Sequence, residues 1–157
     1  MNKKILITGG AGYIGSVLVP MLLDEDYEVV LVDKLIFGQK IFSHKKNFKF
    51  IKADVRDYVL MKKILDDHNF DVVIPLAALV GAPICSKYIT EAEEINFKSC
   101  NFLFENLNSN TKIILPVSNS GYGIADHNKP CTEESELNPI SVYGVTKVKA
   151  EKSLIER

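Results

Sequence analysis

Tyr143 and Lys147 are the residues of this 157-residue chain best suited to moving a proton. They stand four apart in Ser141 to Arg157, a stretch of helical character, so both side chains share one helix face. A free phenol titrates near pH 10, too high for acid–base work at neutral pH, and an ammonium within about 4 to 6 Å favours the phenolate and lowers that value. A phenolate held this way can take the proton of an alcohol as hydride leaves. Ser118, at the carboxyl end of the apolar run Lys112 to Val117, can hydrogen-bond the same oxygen and hold it still. Spacing by itself is weak grounds, because six tyrosines among this many lysines give about one chance match. Tyr58 and Lys62 are that match. They fall on the helix after the third strand and lack a serine partner. The plain alternative for either pair is a surface tyrosine beside a solvated lysine.

The N-terminal stretch offers a place to hold a hydride acceptor. Gly9, Gly10, Ala11, Gly12, Tyr13, Ile14 and Gly15 follow Lys4-Ile5-Leu6-Ile7-Thr8, a run of buried-strand type, and precede Val17, Leu18, Met21 and Leu22 at helical spacing. Strand, glycine turn and helix together make a phosphate site. Glycines let backbone N–H groups approach a pyrophosphate with no Cβ in the way, and the helix N-terminus adds partial positive charge. The run satisfies both G-x-G-x-x-G, through Gly10, Gly12 and Gly15, and G-x-x-G-x-x-G, through Gly9, Gly12 and Gly15. Spacing does not choose between them, though Thr8-Gly9-Gly10 favours the second. The next strand, Glu28 to Val32, stops at Asp33, about 20 residues past the glycines, where an acid accepts from a ribose 2′-hydroxyl. A carboxylate there repels a 2′-phosphate, so Asp33 favours NAD over NADP, while the neighbouring Lys34, also expected at the cofactor, pulls the other way.

These groups must be positioned by elements that alternate strand and helix from end to end, the pattern of βαβ units and a doubly wound parallel sheet of about five strands in the order 3-2-1-4-5. The first helix is expected from Gly12 to Glu25, kinked at Pro20, with Asp26 in the left-handed turn that follows. Strand three is Phe48 to Ile51, and Asp57 caps a helix through Leu60, Ile64 and Leu65. Strand four, Asp71 to Ile74, leads into Pro75-Leu76-Ala77-Ala78, where small side chains either admit a cofactor close to the backbone or simply pack tightly. A helix from Thr90 to Leu107, with Thr90 and Glu93 as a capping box, carries an apolar face of Ile95, Phe102, Leu103 and Leu107. Strand five, Lys112 to Val117, runs into Ser118-Asn119-Ser120-Gly121-Tyr122-Gly123, then a polar loop to Pro139 and the final helix, Ser141 to Arg157.

With 46% hydrophobic residues the chain can bury a core as one domain, and a net charge of −1 gives no electrostatic case for nucleic acid or an anionic membrane. Lys45-Lys46 beside His44 reads as a solvated loop. Cys85, Cys100 and Cys131 lack the spacing of a zinc site or a disulfide framework and suggest a reducing cytoplasm. The N-terminal apolar run is too short for a signal peptide, and Val72 to Cys85 is too short, at two prolines, to span a bilayer. His44, His68 and His127 have no carboxylate or cysteine at useful spacing, and Glu133, Glu134 and Glu136 read as a solvated loop, so no metal site is assigned.

Taken together, Thr8 to Gly15, Asp33, Ala53-Asp54-Val55, Leu76-Ala77-Ala78, Ile95-Asn96, Ser118 to Gly123, Pro130 to Glu133 and Leu137 to Lys147 resemble an extended short-chain dehydrogenase/reductase of the NAD-dependent epimerase/dehydratase family. Many members modify nucleotide sugars. The resemblance covers the whole chain and implies a Rossmann fold. It implies that Asp54 and Val55 flank the adenine, that Leu76, Ala77 and Ala78 line the cofactor, that Asn96 lies near the active site, and that Lys147 also holds the nicotinamide ribose. Departures are Pro75, where the family often has histidine, Pro116 inside strand five, and Asn119-Ser120 in place of the Asp-Glu pair of sugar 4,6-dehydratases.

The resemblance therefore implies an NAD-dependent nucleotide-sugar epimerase or related oxidoreductase, with Ser118, Tyr143 and Lys147 catalytic. Members are roughly twice as long, so residues 1–157 are expected to be the NAD-binding domain without a sixth strand or a substrate domain, binding cofactor without turnover. A non-catalytic dinucleotide-binding module is the alternative. In the family, helices matching 90–107 and 141–157 pair across a two-fold axis, so a homodimer is expected, with Phe97, Phe104, Val148 and Leu154 on the paired helices.

Overall fold

The computed structural model describes residues 2–39, 45–124 and 130–157, so His44, His127 and part of the polar loop lie outside the described residues. Two compact units emerge, Met1–Ala77 with Asn106–Pro116, and Ala78–Glu105 with Val117–Arg157.

The first unit is built on five parallel strands, β1 (Lys4–Thr8), β2 (Glu28–Asp33), β3 (Phe48–Lys52), β4 (Val72–Pro75) and β5 (Lys112–Ile113), in the order β3-β2-β1-β4-β5. The order reverses beside β1, the switch point of a doubly wound sheet. Helix α1 (Gly15–Asp24) packs Val19 and Leu23 against Ile5, Ile7, Val29, Leu31 and Ile74. Leu6, Val30 and Val73, which point to the opposite face, are just as buried, as the near-continuous apolar runs of a two-sided parallel sheet require. Each such fully buried aliphatic side chain is worth about 1.5 to 3 kcal/mol.

Local signals act as expected at two helix ends. Asp26 holds φ 59, with its N–H on Leu23 O and that of Tyr27 on Leu22 O, the paired bonds that close a helix through a left-handed residue. The Asn2 side-chain amide donates to Asp26 O at 2.7 Å and secures the turn. Asp57 caps α2 (Tyr58–Asp67) by accepting from Leu60 N at 3.0 Å, and that helix buries Met61, Ile64 and Leu65.

Strand five is shorter than the apolar run suggests. Its ladder ends with the bond from Ile114 N to Val73 O at 2.9 Å. Pro75 and Pro116 both lack an N–H, so neither strand can add a further rung. Ser118 consequently sits beyond the strand rather than at its end.

The second unit departs most from expectation. Helix begins at Ala82, not Thr90: α3 (Ala82–Lys87) and α4 (Ile89–Ala92) lead into a wide π turn, Glu93–Lys98, and then α5 (Ser99–Asn106). Pro83 occupies the first turn of α3, the one place in a helix where its missing N–H costs nothing. Tyr88 precedes α4, so Thr90 is inside a helix and forms no capping box. The buried face is Ala92, Asn96, Ser99, Cys100, Leu103 and Phe104, while Ile95, Phe102 and Leu107 are only half-buried. Helix α6 (Val142–Ile155) closes the unit, capped by Ser141 Oγ, which accepts from Gly144 N at 3.0 Å. Phe104 and Val148 are only 2% and 7% exposed, so they belong to the chain's own core and not to an outer helical face. Among the described residues no helix is long and apolar enough to cross a membrane.

Candidate active site

The glycine turn lies where β1 ends. Gly9 has φ 69, and a Cβ there would come within 2.4 Å of Ala77 N, so the backbone leaving β4 passes against the turn. Gly15 starts α1 so near Gly10 that a Cβ would meet Gly10 O at 2.0 Å. Packing alone therefore accounts for these two glycines. Gly12 is different, because its only close neighbour would be Gly9 O at 3.1 Å. No hydrogen bond among the described residues uses the backbone N–H of Tyr13 or Ile14. These two donors, at the positive end of α1 and beside a residue with no side chain, fit a pyrophosphate.

Asp33 is 9% exposed and already engaged: Oδ2 accepts from Ala11 N at 3.0 Å and Oδ1 from Leu35 N at 2.7 Å. The acid at the end of β2 thus braces the glycine turn, a role the sequence pattern does not announce, and keeps lone pairs for a ribose hydroxyl. On the adjacent strand end, Asp54 holds Arg56 through Nε at 3.0 Å and Nη2 at 2.7 Å, and Lys34 Nζ at 2.8 Å. The Arg56 guanidinium above all, with Lys34, holds the Asp54 carboxyl well below the usual carboxylate range against the opposing effect of its partial burial. Val55 is buried beside it, and Leu76 and Ala77, where β4 gives out, are half-buried.

In the second unit, a short 3₁₀ turn, Asn119–Gly121, follows Ser118, whose Oγ lies 2.8 Å from Ser120 Oγ and accepts from Ser120 N at 3.3 Å. This turn nests against α6. A Cβ on Gly144 would meet Ser120 O at 2.5 Å, and one on Gly121 would meet Val148 Cγ2 at 3.0 Å. Two glycines thus let the serine turn touch the first turns of the helix that carries Tyr143 and Lys147. Tyr143 is half-buried. Lys147 is 7% exposed, and burial pushes its ammonium below the usual lysine value, while Cys100 and Glu151 pull it back up. No hydrogen bond among the described residues uses its Nζ. The Tyr58 and Lys62 pair belongs to the first unit, with Lys62 bound to Asp66 on the same helix.

Asn96, 1% exposed within the π turn, is a clasp. Its Oδ1 accepts from Leu79 N at 2.8 Å, and its Nδ2 donates to Leu79 O at 3.0 Å and to Thr146 Oγ1 at 3.2 Å. Thr146 in turn donates to Tyr143 O at 2.9 Å. One buried amide therefore joins the segment after Ala78 to the turn of α6 between Tyr143 and Lys147. Thr146 and Leu79 carry no motif, and only a pattern pairing residues 17 and 50 positions from Asn96 would have found them. π turns in helices are over-represented at functional sites. His68 lies against Phe70 with Lys49 Nζ 3.2 Å from its ring, and among the described residues no cluster of acids, histidines and cysteines could hold a metal.

Comparison with known proteins agrees with this fold. UDP-glucose 4-epimerase of Lactobacillus helveticus is 36% identical over 151 residues, which are 95% of this chain and 45% of that enzyme. The solved UDP-Glc/GlcNAc 4-epimerase of Campylobacter jejuni superposes with a TM-score of 0.91 at 29% identity, over 99% of this chain and 49% of that one. MoeE5, solved with UDP-glucose and NAD, gives 0.82 at 29% identity over 98% of this chain and 48% of its own. The chain spans about half the length of the relatives it matches. The profile of the NAD dependent epimerase/dehydratase family matches residues 5–156, and with a sheet in the order 3-2-1-4-5 behind a glycine turn, the chain belongs to that NAD-dependent family.

Proposed function

We propose that residues 1–157 are the NAD-binding part of a nucleotide-sugar 4-epimerase acting on a UDP-hexose. The observation that carries this is the locked start of α6, where Ser141 and Gly144 fix Tyr143 beside the serine turn while Lys147 is buried one helical turn on. In this reading the N–H groups of Tyr13 and Ile14 with Gly12 hold the pyrophosphate, Asp33 accepts from the adenosine ribose, and Val55, Leu76, Ala77 and Ala78 line the cofactor. NAD, when bound, supplies the acceptor and later donor of hydride. Tyr143 takes the proton of the sugar 4-hydroxyl as the carbon is oxidised and returns it as the opposite face is reduced. Ser118 Oγ accepts from Ser120 N–H, and with Ser120 Oγ as the donor of the bond between the two hydroxyls Ser118 keeps its own proton to donate to the sugar oxygen. Lys147 contributes to the nicotinamide ribose site. Asn119 and Ser120, in place of an acid pair, favour epimerisation over dehydration.

The test has two arms. Calorimetry of the 157-residue chain with NAD should show saturable binding, and its absence would overturn the reading. Interconversion of UDP-glucose and UDP-galactose is expected only when the part matching the relatives' other half is supplied, because substrate positioning alone is worth about 7 to 11 kcal/mol of a barrier. In that longer protein Tyr143→Phe should cost about 10²- to 10⁴-fold in kcat. Turnover unaffected by Tyr143→Phe would show that Tyr143 is not the acid–base group. Pairing of two copies through 90–107 and 141–157 is part of the proposal, now resting on Phe97, Leu154 and the exposed Ile155. Light scattering at micromolar concentration should give twice the monomer mass, and a monomer would refute it.

A further inference from the structure

We propose that Thr146 is a positioning residue for the nicotinamide end of the cofactor site, its buried hydroxyl holding the helix that bears Tyr143 and Lys147 in register with the segment that leaves β4. The inference deepens the reading above and rests on it: Ala77 and Ala78 line the cofactor, and Lys147 contributes to the nicotinamide ribose site. Thr146 is 1% exposed and stands on α6 one residue before Lys147. It acts through other residues. Its Oγ1 donates to Tyr143 O at 2.9 Å and accepts from Asn96 Nδ2 at 3.2 Å.

Each bond in this series has one direction. Leu79 offers the Asn96 amide both an N–H, which donates to Oδ1 at 2.8 Å, and a C=O, which accepts from Nδ2 at 3.0 Å, so the amide cannot be turned over. The other Nδ2 proton goes to Thr146 Oγ1, and the Thr146 proton goes on to Tyr143 O. Leu79 follows Ala77 by two residues, and Ala77 N is the group that a Cβ on Gly9 would strike. The backbone that passes the glycine turn is thus the one that Asn96 grips, and Thr146 carries that grip to α6 beside its two functional side chains. Helix α6 is also tied at Lys149 to Glu93 and at Ser153 to Asn101, but these bonds are open to solvent in part and lie further along the helix. Exposed pairs are worth little in water, whereas a buried hydroxyl with a fixed donor and a fixed acceptor cannot shift without leaving a polar group unpaired. Cys85 Sγ, 3.9 Å from Asn96 Nδ2, is a poor substitute for it.

Calorimetry of the 157-residue chain with NAD, and with ADP, which lacks the nicotinamide riboside, tests the proposal. The wild type should bind NAD more tightly than ADP. Thr146→Val keeps the shape and removes the hydroxyl. It should weaken NAD binding about three- to tenfold, the range of one net hydrogen bond, and change ADP affinity less than about twofold. Thr146→Ser, which restores donor and acceptor, should return NAD affinity to within about twofold of the wild type. In a chain already carrying Tyr143→Phe and Lys147→Met, Thr146→Val should add no further loss, because a residue that acts through others is not additive with them. A merely structural threonine would weaken NAD and ADP alike and would add its effect in that background. Either result overturns the proposal, as does NAD affinity that is unchanged in Thr146→Val or not recovered in Thr146→Ser. NAD bound no more tightly than ADP by the wild type overturns it too. Wild-type chain that binds neither NAD nor ADP refutes the dinucleotide reading itself.

Discussion

The two units hold their functional groups by opposite means. In the first, the work is done by backbone: Gly9 and Gly15 allow main chain to meet main chain, the N–H groups of Tyr13 and Ile14 have no partner among the described residues, and Asp33 and Asp54 project from strand ends fixed by the parallel ladder. In the second, buried polar side chains do it, Asn96 and Thr146 linking segments far apart in sequence and Lys147 buried as a cation. Close backbone contact has no slack, so a single added methyl group is felt in full. A side-chain clasp fails one bond at a time, and a buried charge costs stability for the sake of function.

The largest effect expected from this contrast is at Gly15. Gly15→Ala places a Cβ 2.0 Å from Gly10 O, which is backbone and cannot step aside, and should cost about 3 kcal/mol or more in urea unfolding. Gly12→Ala, with one neighbour at 3.1 Å, should cost less than about 1 kcal/mol while weakening NAD binding. Equal losses at the two positions would dissolve the distinction between a packing glycine and a ligand glycine.

The same contrast explains what could be read in advance. The first unit was legible because its determinants are local: apolar runs, glycine spacing, Asp26 as a left-handed residue and Asp57 as a cap each act within a few positions of themselves. Asp33 is legible as a strand-end acid, but its bond to Ala11 N, 22 residues back, is not, since it depends on β1 and β2 lying together. In the second unit the determinants are long-range. Thr90 and Glu93 match a capping box, yet helix is already under way from Ala82, because Pro83 starts a helix as well as it ends one. The buried set Ala92, Asn96, Ser99, Cys100, Leu103 and Phe104 keeps helical spacing, but it takes polar Asn96 and Ser99 inward and leaves Ile95 and Phe102 half-buried, so an apolar stripe alone selects the wrong side. Tyr143 and Lys147 were legible as a helical pair. The burial of Lys147 was not.

Asn96 offers the next test. Asn96→Ala strips Leu79 N–H of its partner and leaves Leu79 C=O with only the Cys85 thiol, which should cost about 2 kcal/mol. Thr146→Val removes only the links to Asn96 and to Tyr143 O and should cost about 1 kcal/mol. Similar losses in the two variants would mean that the clasp on Leu79 is not where the stability lies. The caps allow a matched comparison across the units: Ser141→Ala and Asp57→Ala each remove one side-chain bond to a helix N–H and should each cost about 1 kcal/mol. In the longer protein only Ser141→Ala should also lower kcat, because it alone sits at the start of the helix that presents Tyr143.

Lys147→Met gives the smallest change and the one of opposite sign. The ammonium is buried, burial lowers its pKa, and no hydrogen bond among the described residues repays its desolvation. A methionine of similar length keeps the packing and removes the charge, so at neutral pH the variant should be more stable by roughly 0.5 to 1 kcal/mol, in the range usual when a functional residue is replaced. The pH dependence fixes the cause. With its folded pKa below the unfolded value near 10.5, the unfolded chain binds the proton more tightly, so the stability of the wild type rises with pH through that window. The gap between wild type and Lys147→Met should therefore be widest near neutrality and close as the pH passes about 10.5. Thermal melts of both proteins from neutral to alkaline pH measure it directly. A Lys147→Met chain less stable than wild type at neutral pH would show that the ammonium is a structural group with a partner, and the second unit would then hold its catalytic residues at no cost to its stability.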